Sequence, residues 1–426
     1  MQNAESLTTR TAPKKALSTI LIWVILILVL VALGSLAYYF LLVMTDNTGT
    51  FHAATTVADL DGDGDLDVLL HNVRQESEFT AFSVLTLWFN QGNGQFIAQR
   101  LDQDSNGGGW ASAAGDMDRD GNVDLLVFMG SRLRLIFNQG GEQSGQFSEL
   151  QDTRSISGPE RNGQYGSIIM GNLNNDEKLD GIVVGCCGRV FTVDLNDDSP
   201  NVSGVWLNEW DNKGSVGQMS TLSGLEGLAV QDAALGDVDN DGDLDLFAAV
   251  IAPSEGQNRN PADRVLLNDG EGNFTDSGQR LGEADSTAVA LGDLDGDGDL
   301  DALVGHQSGA VVWINQGGWQ GGQAGTFITA LPTLDSSQVR AVFLADLDGD
   351  GDLDALLDER RRATIWWNEG LASFTESRQH FNYSKRYGLA VGDFNGDGRT
   401  DIFAAAYADN YHVWFNQGDG IFQAMP

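Results

Sequence analysis

Residues 293–301 read Asp-Leu-Asp-Gly-Asp-Gly-Asp-Leu-Asp. The same nine residues stand at 59–67 and 346–354, and variants begin at Asp116, Asn172, Asp237 and Asp393. Each copy carries Asp or Asn at positions 1, 3, 5 and 9, and six of the seven have Gly at position 6. Successive copies are 57, 56, 65, 56, 53 and 47 residues apart. They hold 29 of the 46 aspartates in the chain. Solvated surface charge would not sort itself in this way.

The spacing suits a hard cation. Ca²⁺ takes six to eight oxygen ligands, and carboxylates at alternate positions of a tight loop aim at one centre. Position 7 can add its backbone carbonyl, and the Asp at position 9 closes the shell from the following strand. Gly at position 6 permits the left-handed backbone that the reversal needs. Without a cation the clustered carboxylates repel one another. The expected ligand sets are Asp59, Asp61, Asp63, Asp65 and Asp67; Asp116, Asp118, Asp120, Asn122 and Asp124; Asp237, Asp239, Asp241, Asp243 and Asp245; Asp293, Asp295, Asp297, Asp299 and Asp301; Asp346, Asp348, Asp350, Asp352 and Asp354; and Asp393, Asn395, Asp397, Arg399 and Asp401. The third loop (Asn172, Asn174, Asp176, Lys178, Asp180) departs furthest. Glu177 replaces its Gly and Lys178 adds a positive charge, so a degenerate turn competes with calcium there. Six Ca²⁺ sites are expected, with loop 3 a possible seventh. An EF-hand is set aside, because it needs Glu at position 12 and flanking helices. Position 12 here is Leu70, Ala248 or Leu357, and the flanks read as strands.

The same order recurs around each loop. An apolar run enters it and a second leaves it. An apolar strand ending in Asn, aromatic in six of the seven copies, follows at 87–90, 135–138, 205–208, 265–268, 312–315, 365–368 and 413–416. Next come a Gly-rich hairpin and a strand opened by Phe96, Phe147, Phe274, Phe327, Phe374 or Phe422. Short strands punctuated by turns, at a period near fifty, indicate radial blades. The pattern resembles the FG-GAP/VCBS repeat family, whose calcium-loop blades also build the integrin α-subunit propeller. The resemblance covers about 53–426. It implies a seven-bladed β-propeller with a metal loop joining the first two strands of each blade. Blade 3 departs most: its loop is degraded, its hairpin lacks the Phe and its repeat is the longest. Phe51, which follows Gly49-Thr50, reads either as a remnant of an eighth hairpin strand or as a partner for the short last strand near 421–425.

The first fifty residues differ. Residues 1–15 carry Arg10, Lys14 and Lys15 against Glu5, and 16–44 contain no charge. About 20 apolar residues span a bilayer as a helix, and Trp23, Tyr38 and Tyr39 fit its interfaces. The positive-inside bias places 1–15 in the cytoplasm, 16–44 in the membrane, 45–52 as a tether and 53–426 outside. A cleaved signal peptide competes, but its apolar region would be about 7–15 residues long. The full expectation is therefore an all-β, seven-bladed β-propeller preceded by one transmembrane α-helix.

Composition narrows function. Sixty-one acids oppose 24 bases, a formal charge of −37, which makes nucleic acid an improbable partner. Two cysteines exclude a disulfide framework. The adjacent Cys186 and Cys187 read as buried thiols or a strained vicinal disulfide. No nucleophile elbow, zinc-protease motif or phosphate loop is present. His71 and His306 fall just past equivalent strands, where scattered histidines compete with a rim site; His52, His380 and His412 show no pattern. Trp in the aromatic strands reads as core, whereas Trp110, Trp210 and Trp319 fall in loops suited to a sugar or protein. Arg360, Arg361 and Arg362 form a solvated turn or dock an acidic partner. The expected function is a membrane-anchored, extracytoplasmic, calcium-binding propeller that binds a protein or glycan in adhesion or scaffolding. The alternatives are a polysaccharide lyase or hydrolase on the same scaffold, or an accessory subunit of a membrane complex.

Overall fold

The computed structural model describes residues 54–425 apart from 78–79, 105–110, 130–131, 141–144, 146, 148–153, 157–163, 187–202, 210–216, 218, 253–260, 331–332, 360–361, 383–385 and 407–409. The segments expected as tail, membrane helix and tether, together with Phe51 and His52, lie outside the described residues. Among those described, no helix is long and apolar enough to cross a membrane.

The described chain forms seven antiparallel sheets in sequence order. Blade 1 pairs Ala54–Ala58, Asp67–Ser77, Thr80–Asn90 and Phe96–Asp104 as neighbours. Blade 7 repeats this with Arg386–Gly392, Asp401–Ala406, Tyr411–Asn416 and Phe422–Ala424. Each acidic loop joins the first strand of its blade to the second. Blade 3 is complete despite its degraded loop, and ends in Met219–Thr221. Blade 5 gains a short extra strand, Leu334–Asp335, beside Gly309 and Ala310. Blade 2 differs from expectation, because Phe147 makes only a bridge to Asn138 and the fourth strand lies later, at Arg154–Ile156.

The core is divided into seven apolar wedges, one between each pair of blades. Successive side chains of a strand point to opposite faces. In blade 4, Leu246, Ala248 and Val250 enter the wedge shared with blade 3, while Phe247 and Ala249 enter the wedge shared with blade 5. Both faces are buried, so the second strands read as unbroken apolar runs. Gly236 ends the first strand of blade 4 where Leu300 of blade 5 presses against it. A Cβ there would stand 2.6 Å from the Leu300 Cδ1.

Asn at the end of each third strand fastens one blade to the one before. The Asn138 amide donates to the Leu60 carbonyl at 2.9 Å, Asn208 to Met117 at 2.8 Å and Asn268 to Leu173 at 2.9 Å. Asn315 reaches Val238 at 2.7 Å, while Asn368 reaches Leu294 and Asn416 reaches Leu347, both at 2.8 Å. Asn90 closes the ring by donating to Phe394 of blade 7 at 2.8 Å. Every acceptor is position 2 of the preceding acidic loop. At the same junction Thr55 donates to the Leu389 carbonyl, and Phe96, Phe394, Phe403, Tyr411 and Trp88 pack edge to face or stacked. Among the described residues, closure joins two four-stranded sheets, and the short last strand pairs within its own blade.

Replacing Asn315 by Ala removes this bond and leaves a buried carbonyl without its donor. The expected loss is about 1–3 kcal/mol of stability, readable as a lower denaturation midpoint. An exposed asparagine such as Asn93→Ala should change it little.

Candidate metal centres

The loops turn as the sequence predicts, with one addition. Positions 4 and 6 are both left-handed: Gly62 and Gly64 have φ of 73° and 96°. Position 4 also accepts Arg119, Asn175 and Asn240, with φ between 60° and 63°. Glu177 does adopt the strained conformation anticipated for it, with φ of 66°. A non-glycine residue there costs roughly 1–2 kcal/mol.

The position 1 carboxylate organises the turn. Asp59 accepts from the amides of Gly62, Asp63 and Gly64. The position 5 carboxylate accepts from the amide of position 7, as Asp63 does from Asp65. Position 9 is fully buried in all seven loops. Its two oxygens receive two amides: Asp67 accepts from Leu60 at 2.8 Å and from Asn90 at 2.7 Å. The arrangement repeats at Asp124, Asp180, Asp245, Asp301, Asp354 and Asp401. One carboxylate thus ties its loop to the Asn that clasps the preceding blade.

Carboxylate oxygens converge within 4.8 Å of one another in five loops. In loops 1, 2, 4 and 6 the groups are Asp59–Asp61–Asp67, Asp116–Asp118–Asp124, Asp237–Asp239–Asp245 and Asp346–Asp348–Asp354. In loop 5 the group is Asp293–Asp295–Asp297. Burial, and then the neighbouring position 5 carboxylate, raise the carboxyls of Asp61, Asp118, Asp239 and Asp295 above the usual range. The Asp61 and Asp239 Oδ1 atoms are buried with no hydrogen-bond donor. Buried acceptors left without donors are costly, and a divalent cation would satisfy them. The residues present therefore fit a hard, oxygen-seeking ion.

Loops 3 and 7 carry a cation of their own at position 7. Lys178 lies 3.7 Å from Asp176 and donates to the Asn208 carbonyl. Arg399 lies 2.6 Å from Asp397 and donates to the Asn416 carbonyl. Asn172 and Asn174 in loop 3, and Asn395 in loop 7, still supply side-chain carbonyls. Asn172 Oδ1 is buried without a donor.

The remaining sequence candidates separate. Trp88, Trp206 and Trp366 are core, as expected. Trp319 is 70% exposed, while Trp110 and Trp210 lie outside the described residues. Arg360 and Arg361 also lie outside them, and Arg362 is paired with the buried Glu359 at 2.8 Å. Cys186 ends a strand of blade 3, and Cys187 lies outside the described residues. His71 and His306 lie in the second strands of blades 1 and 5. His306 joins a buried cluster that the sequence did not reveal. The Ser286 hydroxyl donates to Asp263 at 3.0 Å and stands 3.4 Å from His306 Nδ1. Serine lies between the other two and spends its proton on the carboxylate, an order opposite to that of a nucleophilic triad. Its members come from two blades, which is why no local motif announces it.

This architecture defines a class: all-β propellers whose blades each turn on an acidic loop. A comparison with protein families matches the FG-GAP-like repeat at residues 59–127, 237–304, 293–357 and 355–404. These matches cover more than half of the chain, which belongs to that family. Among solved structures, the chain is similar to an Agrocybe aegerita lectin described as recognising non-reducing terminal N-acetylglucosamine. Identity is 18% over 78% of this chain and 81% of the lectin, with a TM-score of 0.50. The chain is also similar to part of the Photorhabdus luminescens Tc holotoxin pore, at 17% identity over 84% of this chain and 17% of that one (TM-score 0.36). A functionally unknown protein of Desulfotomaculum acetoxidans is 11% identical over 83% of this chain and 93% of its own (TM-score 0.47). No curated protein matches.

Burial pushes the carboxyls of Asp67, Asp124 and Asp301 up to about 7, and those of Asp245, Asp354 and Asp401 up to about 6. Acids raised on folding favour the protonated folded state. Their contribution is full below the unfolded value near 3.8 and is lost as pH rises through 6–7. His306, lowered by burial, acts in the opposite sense but is one group against six. In chelator the melting temperature should therefore be higher at pH 5 than at pH 8. Added calcium should reverse the order, because it competes with these protons. Melting curves from pH 5 to 8, with and without calcium, read both signs.

Proposed function

We propose that this chain is a calcium-ordered propeller that serves as a glycan-binding module, held outside the cytoplasmic membrane by residues 16–44. The calcium reading rests on one observation: convergent carboxylates whose innermost oxygens, at Asp61 and Asp239, lack any donor. Asp or Asn at positions 1, 3, 5 and 9 would hold each ion, with the backbone of position 7. Bound calcium supplies charge neutralisation, and each occupied site adds RT ln(1 + [L]/Kd) to stability. The ring then presents the hairpins between third and fourth strands on a fixed frame.

The likeness to a lectin fold supports a glycan as the ligand class. So does Trp319, whose exposed indole offers the flat apolar face on which a sugar ring stacks. Equilibrium dialysis should find several calcium ions per chain, and chelation should lower the melting temperature by many degrees. An unchanged melting curve in chelator would reject the calcium reading. A glycan array that includes terminal N-acetylglucosamine tests the ligand. Trp319→Ala should abolish binding without altering the melting temperature; an array with no signal from correctly folded, calcium-loaded protein rejects a glycan ligand.

The anchor is supported by the uncharged run 16–44 and the basic residues before it. Protease added outside intact cells should digest the propeller and spare the N-terminal tail. Full protection of the propeller would overturn the topology.

A further inference from the structure

The hairpins after the clasping Asn are five residues long in blades 1, 4, 6 and 7, at 91–95, 269–273, 369–373 and 417–421. In blade 5 the hairpin runs over 316–326, eleven residues. It still closes in the usual way. The Gly325 amide donates to Asn315 Oδ1 at 2.9 Å, as the Gly94 amide does to Asn90 at 3.0 Å. The additional residues form a short 3-10 turn, Gly318–Gln320, that folds onto the blade's own acidic loop.

Two donors from this turn reach the carboxylates. The Trp319 amide donates to Asp297 Oδ2 at 3.0 Å, and the Gln320 side chain donates to Asp295 Oδ2. The approach demands glycine. A Cβ on Gly317 would stand 1.9 Å from Asp299 Oδ2, and one on Gly318 would stand 2.2 Å from Asp297 Oδ2. Asp295 and Asp299 are only 8% and 4% exposed, the latter also meeting Asn240 of the preceding blade, whose amide donates to its other oxygen. Their counterparts in the other loops are half-buried or exposed, and position 5 is exposed in every loop but this one. Asp299 Oδ2 is buried beneath the turn with no donor. Loop 5 is also where positions 1, 3 and 5 converge, rather than 1, 3 and 9.

We propose that hairpin 316–326 is a lid that retains the cation of loop 5, so that one site in the ring releases its ion much more slowly than the others. The inference rests on the calcium reading above. Donors that fix ligand carboxylates raise metal affinity by about 10- to 100-fold, and the turn covers the side from which water reaches the other loops.

The test mixes the calcium-loaded full chain with a fluorescent chelator in stopped flow. The expected trace has a fast phase and a slow phase of about one calcium per chain, slower by about 10- to 100-fold. Replacing 316–326 by the five residues 91–95 should merge the two phases. Gln320→Ala should speed the slow phase several-fold, and it decides the matter if the shortened chain misfolds by circular dichroism. A slow phase that survives both changes overturns the lid. So does release of several calcium ions in a single phase, which leaves the calcium reading standing. Failure to bind calcium at all removes both.

Discussion

The buried Asp at position 9 is the joint on which this ring depends. One oxygen holds the start of its own loop, and the other holds the amide of the Asn that reaches the blade before. Three things are thereby fixed together: the shape of the loop, the end of the third strand and the distance to the next blade. The apolar wedges supply most of the burial, but they are not directional. The clasping Asn amide donates to a carbonyl of its own loop and to one of the preceding blade, and the second bond sets the register in which the wedge closes. The last clasp, Asn90 to Phe394, joins residues 304 apart, and each described strand pairs within its own blade.

The same joint makes the ring electrostatically expensive. Each position 9 carboxylate is buried beside others of its loop, and its acidity is weakened accordingly. Hydrogen bonds from two amides offset part of the cost of burial. A further positive charge would offset the rest, and the loops are built for one in two ways. Loops 1, 2, 4, 5 and 6 converge carboxylates on a common point, whereas Lys178 and Arg399 bring a tethered cation to loops 3 and 7. Blade 3 keeps its fold with a degraded loop because the clasp through Asp180 and Asn208 is intact.

Much of this was legible because it repeats. Seven acidic loops at a near-constant period, each followed by an apolar strand ending in Asn, disclose the blade order and the candidate ligands without any structure. The work of that Asn was not legible. Its acceptor is a main-chain carbonyl one repeat away, and main-chain carbonyls leave no mark in a sequence. The same holds for Gly236, which is small because Leu300 arrives from the next blade. The left-handed position 4 was hidden by Arg119, Asn175 and Asn240, which occupy it despite the strain. The Ser286–Asp263–His306 cluster spans two blades, with gaps of 23 and 20 residues, so no short motif announces it. Phe147 misled because it bridges to Asn138 without opening the fourth strand of blade 2.

The division between clasp and hairpin explains how such a ring can vary without losing its frame. A hairpin of five residues and one of eleven both end on a glycine amide donated to the Asn side-chain carbonyl. The closing bond is thus indifferent to what lies between. Insertions cost little loop entropy, because closure entropy grows only slowly with length. They also project from the face that carries the acidic loops, since the third strand ends there. New side chains are therefore added beside a cluster of carboxylates, while the wedges between blades remain untouched. Blade 5 has used this freedom most fully: its extra residues place an exposed indole and two fixed donors against carboxylates that elsewhere face water.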